Sequence, residues 1–228
     1  IRRVGQVERG GRFIRAPIWR GLISMQMDSP LAIPLVGLIY LLGFGGLSIV
    51  RRQGLSFRFA VEGLIITGAA TVVRYLGMPI HPLVFLIVLY LITMRVRLLI
   101  DVGNWLSGRS NLEMALALYR LALRVGPDPA GRQIVMINRG VAQLRNQDPE
   151  GAYATLRDAL VDVDDGAMAK HLAATYYNLG LACRRSGREA EAVRRFNEAV
   201  DAWPDSIYGQ AATQELEKGP KDPDAAPG

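Results

Sequence analysis

The chain has one cysteine, Cys183, and two histidines, His81 and His171, in 228 residues. A single thiol excludes an intrachain disulfide and any cysteine-built metal cluster, which suits a cytoplasmic domain. The histidines stand far apart in sequence, so no metal-ligand spacing forms. Nucleophile motifs, a phosphate-binding glycine loop, zinc spacing and a dinucleotide fingerprint are missing too. The sequence therefore predicts no catalytic residue, no metal and no cofactor, and the expected class is a non-enzyme. Cys183 reads as a small buried hydrophobe and His81 as a polar turn residue.

Acid is scarce at the start. Arg2, Arg3, Arg9, Arg12, Arg15 and Arg20 face only Glu8 in the first 24 positions, and without them the net charge of +6 falls to about +1. The basic character is local, so no nucleic-acid partner is expected. Residues 1–30 also lack the apolar core of a secretion signal. A basic arm touching anionic lipid, the end of a longer protein, and translation from a start chosen too early each fit this stretch. The last is the expectation for residues 1–24, with Met25 or Met27 as the natural beginning; the basic segment 1–30 as a whole reads as non-native in part or disordered.

Half of the residues are hydrophobic, yet long uncharged runs are confined to residues 31–100. Twenty uncharged residues from Leu31 to Val50 match the hydrocarbon thickness of a bilayer. A second candidate span, about 59–78, carries Glu62 and Arg74 near its ends, with Arg58 one turn from Glu62. Gly63, Thr67 and Thr71 recur every fourth residue along it, a small-residue stripe for close helix packing. A third, about 80–100, follows the tight "GMPIHP" turn and runs into Arg95 and Arg97. Placing Arg51, Arg52, Arg58, Arg95 and Arg97 inside predicts a multi-pass protein of the inner cell membrane of a bacterium, its C-terminal part cytoplasmic.

Beyond the apolar part, one spacing repeats. Tyr176, Leu179, Gly180, Ala192, Phe196, Ala199 and Pro204 are followed backward by Gly140, Ala152, Leu156 and Ala159, then by Gly103, Ala115, Tyr119, Ala122 and Pro127. A glycine and an alanine twelve residues apart recur three times. The pattern resembles the tetratricopeptide repeat, with Tyr176 for the usual Trp, Cys183 for the usual Tyr, and Asp164 where Pro is usual. Three repeats, about 96–129, 133–166 and 173–206, with a capping helix at 207–218 and a disordered tail at 219–228, make an all-α chain. About three transmembrane helices are expected to precede an α-solenoid of three helix pairs within 96–218. With no linker near residue 100, the third span is expected to continue as the first repeat helix without interruption.

What the resemblance implies is protein binding along the first helices of the pairs. The family's groove positions fall on Asn138 and Arg145 in the second repeat and on Tyr177, Asn178, Arg184 and Arg185 in the third. Asn138 and Asn178 are expected to hold the backbone of an extended peptide, and the arginines to favour an acidic partner. The expected function is a membrane-anchored interaction scaffold or assembly factor whose partners are proteins and the lipid bilayer. The alternative is an accessory subunit of a larger bioenergetic or transport complex. Pairs such as Arg188–Glu191 and Arg194–Glu198 read as ordinary exposed helix pairs.

Overall fold

The computed structural model describes Ser29 and residues 31–50, 57–161 and 169–219. Ten α-helices and no strand occur among them. The basic start, Arg51, Arg52, Asp164 and residues 220–228 of the expected tail lie outside the described residues. The chain divides into two units, one ending at Leu89 and one beginning at Tyr90.

In the first unit α1 (Ala32–Val50) packs on α2 (Phe57–Tyr75). Gly37 of α1 lies directly under the Thr67 side chain, and Gly63 of α2 under Leu41, so two small residues set the approach of the helices. Thr71, the third of the small-residue stripe, donates its hydroxyl to Thr67 O at 2.7 Å within α2. Ile33 and Tyr40 then share one apolar cluster with Phe85 and Leu89 of α3 (Pro82–Thr93). Arg74 donates to Ile80 O at 3.0 Å across the turn before α3, and His81 Nδ1 accepts from Leu83 N at 3.2 Å at that helix's start. Arg58 and Glu62 pair at 2.6 Å on α2.

Among the described residues no single helix is long and apolar enough to cross a membrane. Only the pair α3 and α4 (Arg95–Gly108) has the length and composition together, and it is bent by 72°. The expected uninterrupted rod through residues 80–100 is thus corrected: Met94 leaves helical geometry at φ −100° and ψ 9°. Arg95 donates to Ile92 O at 2.6 Å, taking one of the carbonyls a helix end leaves without a partner. The absence of a linker is real, but the connection is a one-residue corner.

From α4 onward the helices form hairpins. α4 pairs with α5 (Leu112–Arg124), α6 (Pro129–Arg145) with α7 (Pro149–Val161), and α8 (Ala169–Arg185) with α9 (Glu189–Ala202); α10 (Ile207–Glu217) follows. Three residues join the helices of each pair, which leaves an antiparallel arrangement as the only way to pack them side by side. Helices α6 and α8 start four residues before the expected repeat starts at 133 and 173. For α6 the reason is local: Asp128 caps it by accepting from Gly131 N at 2.7 Å, and Pro129 occupies the first turn. Ser206 caps α10 in the same way, accepting from Gly209 N at 2.9 Å.

Each hairpin crosses at one glycine. A Cβ on Gly103 would lie 2.7 Å from the Tyr119 ring, one on Gly140 2.5 Å from Leu156, and one on Gly180 2.5 Å from the Phe196 ring. Tyr119, Leu156 and Phe196 are buried, as are Ala115, Ala152 and Ala192 one turn before them and Ala122, Ala159 and Ala199 after. Leu179 is buried as well, Tyr176 packs against the same apolar clusters, and Pro127 and Pro204 follow the ends of α5 and α9. Successive first helices, α4, α6, α8 and α10, touch one another, while α5, α7 and α9 each pack between two of them. The layer of first helices is therefore the inner one.

The three hairpin turns share a backbone motif. Seven residues after each crossing glycine the chain turns left-handed, at Ser110 (φ 62°), Gln147 (φ 58°) and Gly187 (φ 74°). The next N–H reaches back five residues, Asn111 to Leu106, Asp148 to Gln143 and Arg188 to Cys183, at 2.8–3.0 Å. This is the Schellman closure of a helix, for which glycine suits best. Only the third turn has it. Gln147→Gly is accordingly expected to raise stability by about 0.5–1 kcal/mol, and Gly180→Ala to lower it by about 1–3 kcal/mol through overpacking against Phe196. Thermal melts of the two variants beside the parent check both signs.

Candidate protein-binding face

The layer of first helices carries the residues that the family resemblance selects. Asn138 donates its side-chain amide to Ile134 O at 2.8 Å, and Asn178 to Ala174 O at 2.7 Å. Each bond lies within its own helix, one turn back. Asn178 is also buried. One amide N–H of each residue is thus spent within its own helix, and a second N–H and the carbonyl oxygen remain on each side chain. Tyr177 is half-buried, its ring 6.0 Å from Phe196 and 6.1 Å from Tyr208 of α10. Burial, with the Glu215 charge next, raises its hydroxyl pKa above the ordinary value.

The arginines are used in a repeating way. Arg145, five residues after Gly140, donates to Ser107 Oγ at 3.2 Å, and Arg185, five after Gly180, donates to Leu144 O at 2.6 Å. Ser107 and Leu144 each stand four residues after their own glycine. Arg145 on α6 and Arg185 on α8 thus each staple one first helix to the last turn of the first helix before it. Both arginines stay exposed. Arg184 is different: its side chain is 10 % exposed and held on two sides. Its Nε and Nη2 donate to Glu189 Oε1 at 3.1 and 2.8 Å, and its Nη1 donates to Glu215 Oε2 at 2.7 Å and to Glu215 O at 3.2 Å. It brings no spare charge to an acidic partner, contrary to the expectation from sequence. Between α8 and the capping helix lies a cleft of about 310 Å³ lined by Leu181, Arg184, Arg185, Glu215, Lys218 and Gly219.

Two groups of interactions had no signature in the sequence. Glu215 lies 31 residues from Arg184, and no local pattern pairs them. Between α7 and α9, Arg188 of the preceding turn stacks 4.0 Å over the Tyr153 ring and reaches Glu150 at 3.1 Å, while Tyr153 donates its hydroxyl to Glu191 at 2.8 Å. Arg195 closes this set by bonding Glu191 and Glu198 at 3.3 and 2.9 Å. Arg188–Glu191, read as an isolated helix pair, is one edge of a bridge between hairpins. Cys183 is buried, and desolvation pushes its pKa up to about 11, which leaves it a neutral thiol. Tyr119, pushed up to about 12 by burial, donates to Asn104 Oδ1 at 2.6 Å.

The chain matches no protein-family model. Over 106 residues it is 29 % identical to the Photosystem I assembly protein Ycf3 of Rippkaea orientalis (strain PCC 8801 / RF-1). That alignment covers 45 % of this chain and 61 % of the other, so the chain spans under two thirds of the length of the curated relative it matches.

Two carboxylates in these clusters have pKa values held below the ordinary range: Glu191 chiefly by the Tyr153 hydroxyl, and Glu215 chiefly by the Lys218 ammonium with Arg184 adding to it. A carboxylate with a lowered folded-state pKa stabilises the fold fully above its unfolded value of about 4.3 and loses that contribution as the pH falls through the lowered value. The Tm is expected to drop on acidification below that point. Tyr153→Phe removes the largest cause at Glu191, so its acid limb should be shallower than that of the parent. Coincident acid limbs in Tm measured against pH would remove this assignment.

Proposed function

We propose that this protein is a membrane-held adaptor of tetratricopeptide type, which presents its layer of first helices to a protein partner during assembly of a protein complex. The observation that carries the reading is the single register of the three hairpins. An inner layer of stacked helices ending in an open cleft is a surface suited to an extended segment of another protein. Similarity to a protein named for assembly supports the role, at the modest level of 29 % identity.

Membrane attachment rests on a different observation. Leu35, Ile39 and Leu42 on α1 are 56–65 % exposed, as are Leu64, Ile65 and Val72 on α2 and Leu83 and Val84 on α3. Apolar side chains on the outward faces of these helices, beside the apolar faces they pack on one another, call for an apolar surrounding, not water. The arginines at Arg58, Arg95 and Arg97, set against a "GMPIHP" turn free of them, favour the repeats on the cytoplasmic side. Arg145 and Arg185 remain the cations for an acidic segment; Asn138 and Asn178 each keep a second amide N–H and a carbonyl oxygen beside the bond to their own helix. No catalysis and no cofactor form part of the proposal.

A photoreactive residue placed in native membranes at Lys218, 64 % exposed beside the cleft, is expected to give one discrete protein adduct. The same residue at Arg194, 62 % exposed on α9, is expected to give none. Equal labelling from both positions, or from neither, would overturn the use of the inner layer.

The exposed apolar sides of α1–α3 also favour a second reading, in which they are covered by other membrane helices and the chain is an accessory subunit of a large complex. Blue-native electrophoresis separates the two. The adaptor is expected to migrate mostly free of the mature complex, whereas fixed-ratio co-migration with it through successive detergents would favour the subunit.

A further inference from the structure

α4 has a second face that neither the hairpin core nor the inner layer uses. Ile100, Gly103 and Ser107 point into the repeats and are buried. On the other side Leu98, Val102 and Trp105, at spacings of four and three, fall on one stripe of the helix. Val102 is 47 % and Trp105 54 % exposed, and Leu98 is half-buried. Arg95 and Arg109 stand on the same stripe, one turn before it and one turn after. The Arg109 guanidinium lies 4.0 Å over the Trp105 ring.

We infer that this stripe is a membrane-interface site, seating α4 in the headgroup layer of an anionic bilayer. Three observations favour lipid as the occupant. First, α4 starts one residue after α3, on which Leu83, Val84, Ile87 and Leu91 are at least half exposed. Trp105 stands eleven residues past Met94, so the rise of a helix keeps it within about 16 Å of that corner. Second, α4 and α5 with their turn carry Arg95, Arg97, Arg109, Arg120 and Arg124 against Asp101 and Glu113, an excess of the sign that complements anionic headgroups. Third, an apolar row ended at both sides by arginine, with an indole under a guanidinium, matches the polarity gradient of the interface: ring and methyl groups toward the acyl chains, cations toward phosphate. A protein groove would need no such ordering along the helix.

The inference depends on the membrane reading of α1–α3, and the test keeps the two apart. Trp19→Phe and Trp203→Phe leave Trp105 as the sole indole in the full chain. This protein is reconstituted into phosphatidylcholine–phosphatidylglycerol vesicles. Flotation after an alkaline carbonate wash reports on the membrane reading. Trp105 emission reports on the site, with one quencher attached at the headgroup, one deep on the acyl chain, and aqueous acrylamide.

Expected are blue-shifted emission, stronger quenching by the headgroup probe than by the deep one, and protection from acrylamide. Val102→Glu, on the exposed face and away from Gly103 and Tyr119, is expected to restore red-shifted emission and remove lipid quenching. The helical signal and Tm of the repeats should stay as in the parent. Vesicles that float with protein whose Trp105 is open to acrylamide and untouched by lipid quenchers overturn the site alone. Lipid quenching unchanged by Val102→Glu does the same, because the stripe would not be what holds the helix. Protein that fails to float overturns the membrane reading and this inference with it.

Discussion

Every feature of the repeats depends on one steric constraint: a helix backbone bare enough at Gly103, Gly140 and Gly180 to seat the side chain of Tyr119, Leu156 or Phe196. With a Cβ at that point the paired helix would have to move outward, and Ala115, Ala152 and Ala192 would lose the contact that keeps them fully buried. The glycine sets the separation of the two helices, the alanine lets them keep it, and the large residue fills what remains. Because the same three sizes recur in the same order, each hairpin has the same shape, and identical shapes stack by one repeated operation. The inner layer of α4, α6, α8 and α10 is a consequence of that repetition. No residue had to specify the surface directly.

Arginine then takes over where packing stops. Leu144 O, which accepts from Gln147 N at 3.3 Å in its turn, also accepts from Arg185 of the next repeat. Arg145 makes the corresponding contact through the Ser107 hydroxyl. At Arg184 one planar group serves two carboxylates and a carbonyl, which a lysine ammonium would do with less geometric fit. The charge of Arg184 is in this way turned toward its own acids. On the adaptor reading, recognition by the inner layer would rest on shape and on outward cations such as Arg145 and Arg185.

The glycine, alanine and aromatic positions were legible in the sequence because each acts within one hairpin, so its spacing is fixed by helix geometry alone. The start of α6 was legible too, since Asp128 before Pro129 is a cap followed by a first-turn proline, though the repeat period drew the boundary four residues late. The bonds of Asn138 and Asn178 to the carbonyls one turn back were not legible, because sequence gives no sign of which acceptor a side-chain amide takes. Arg184 could not be read at all: its second carboxylate sits on the capping helix, and only the closing of the stack brings Glu215 to it. The corner at Met94 escaped for another reason. Apolar periodicity reports which residues avoid water, and a single change of φ and ψ leaves that pattern intact.

That corner bears on how the apolar unit can sit in a bilayer. α3 has 12 residues, about 18 Å of helix, against a hydrocarbon layer of about 30 Å. By itself it is too short, whereas α1 with 19 residues comes close. A short apolar helix is accommodated by local thinning and by flanking cations that extend to the headgroups, and Arg95 and Arg97 stand where α3 ends. On the membrane reading, a helix turned away at Met94 with Leu98, Val102 and Trp105 outward would draw the interface down toward α3, so that the mismatch and the interfacial stripe have one cause. In water the exposed faces of these two consecutive helices would leave apolar surface uncovered at about 25 cal/mol per Å².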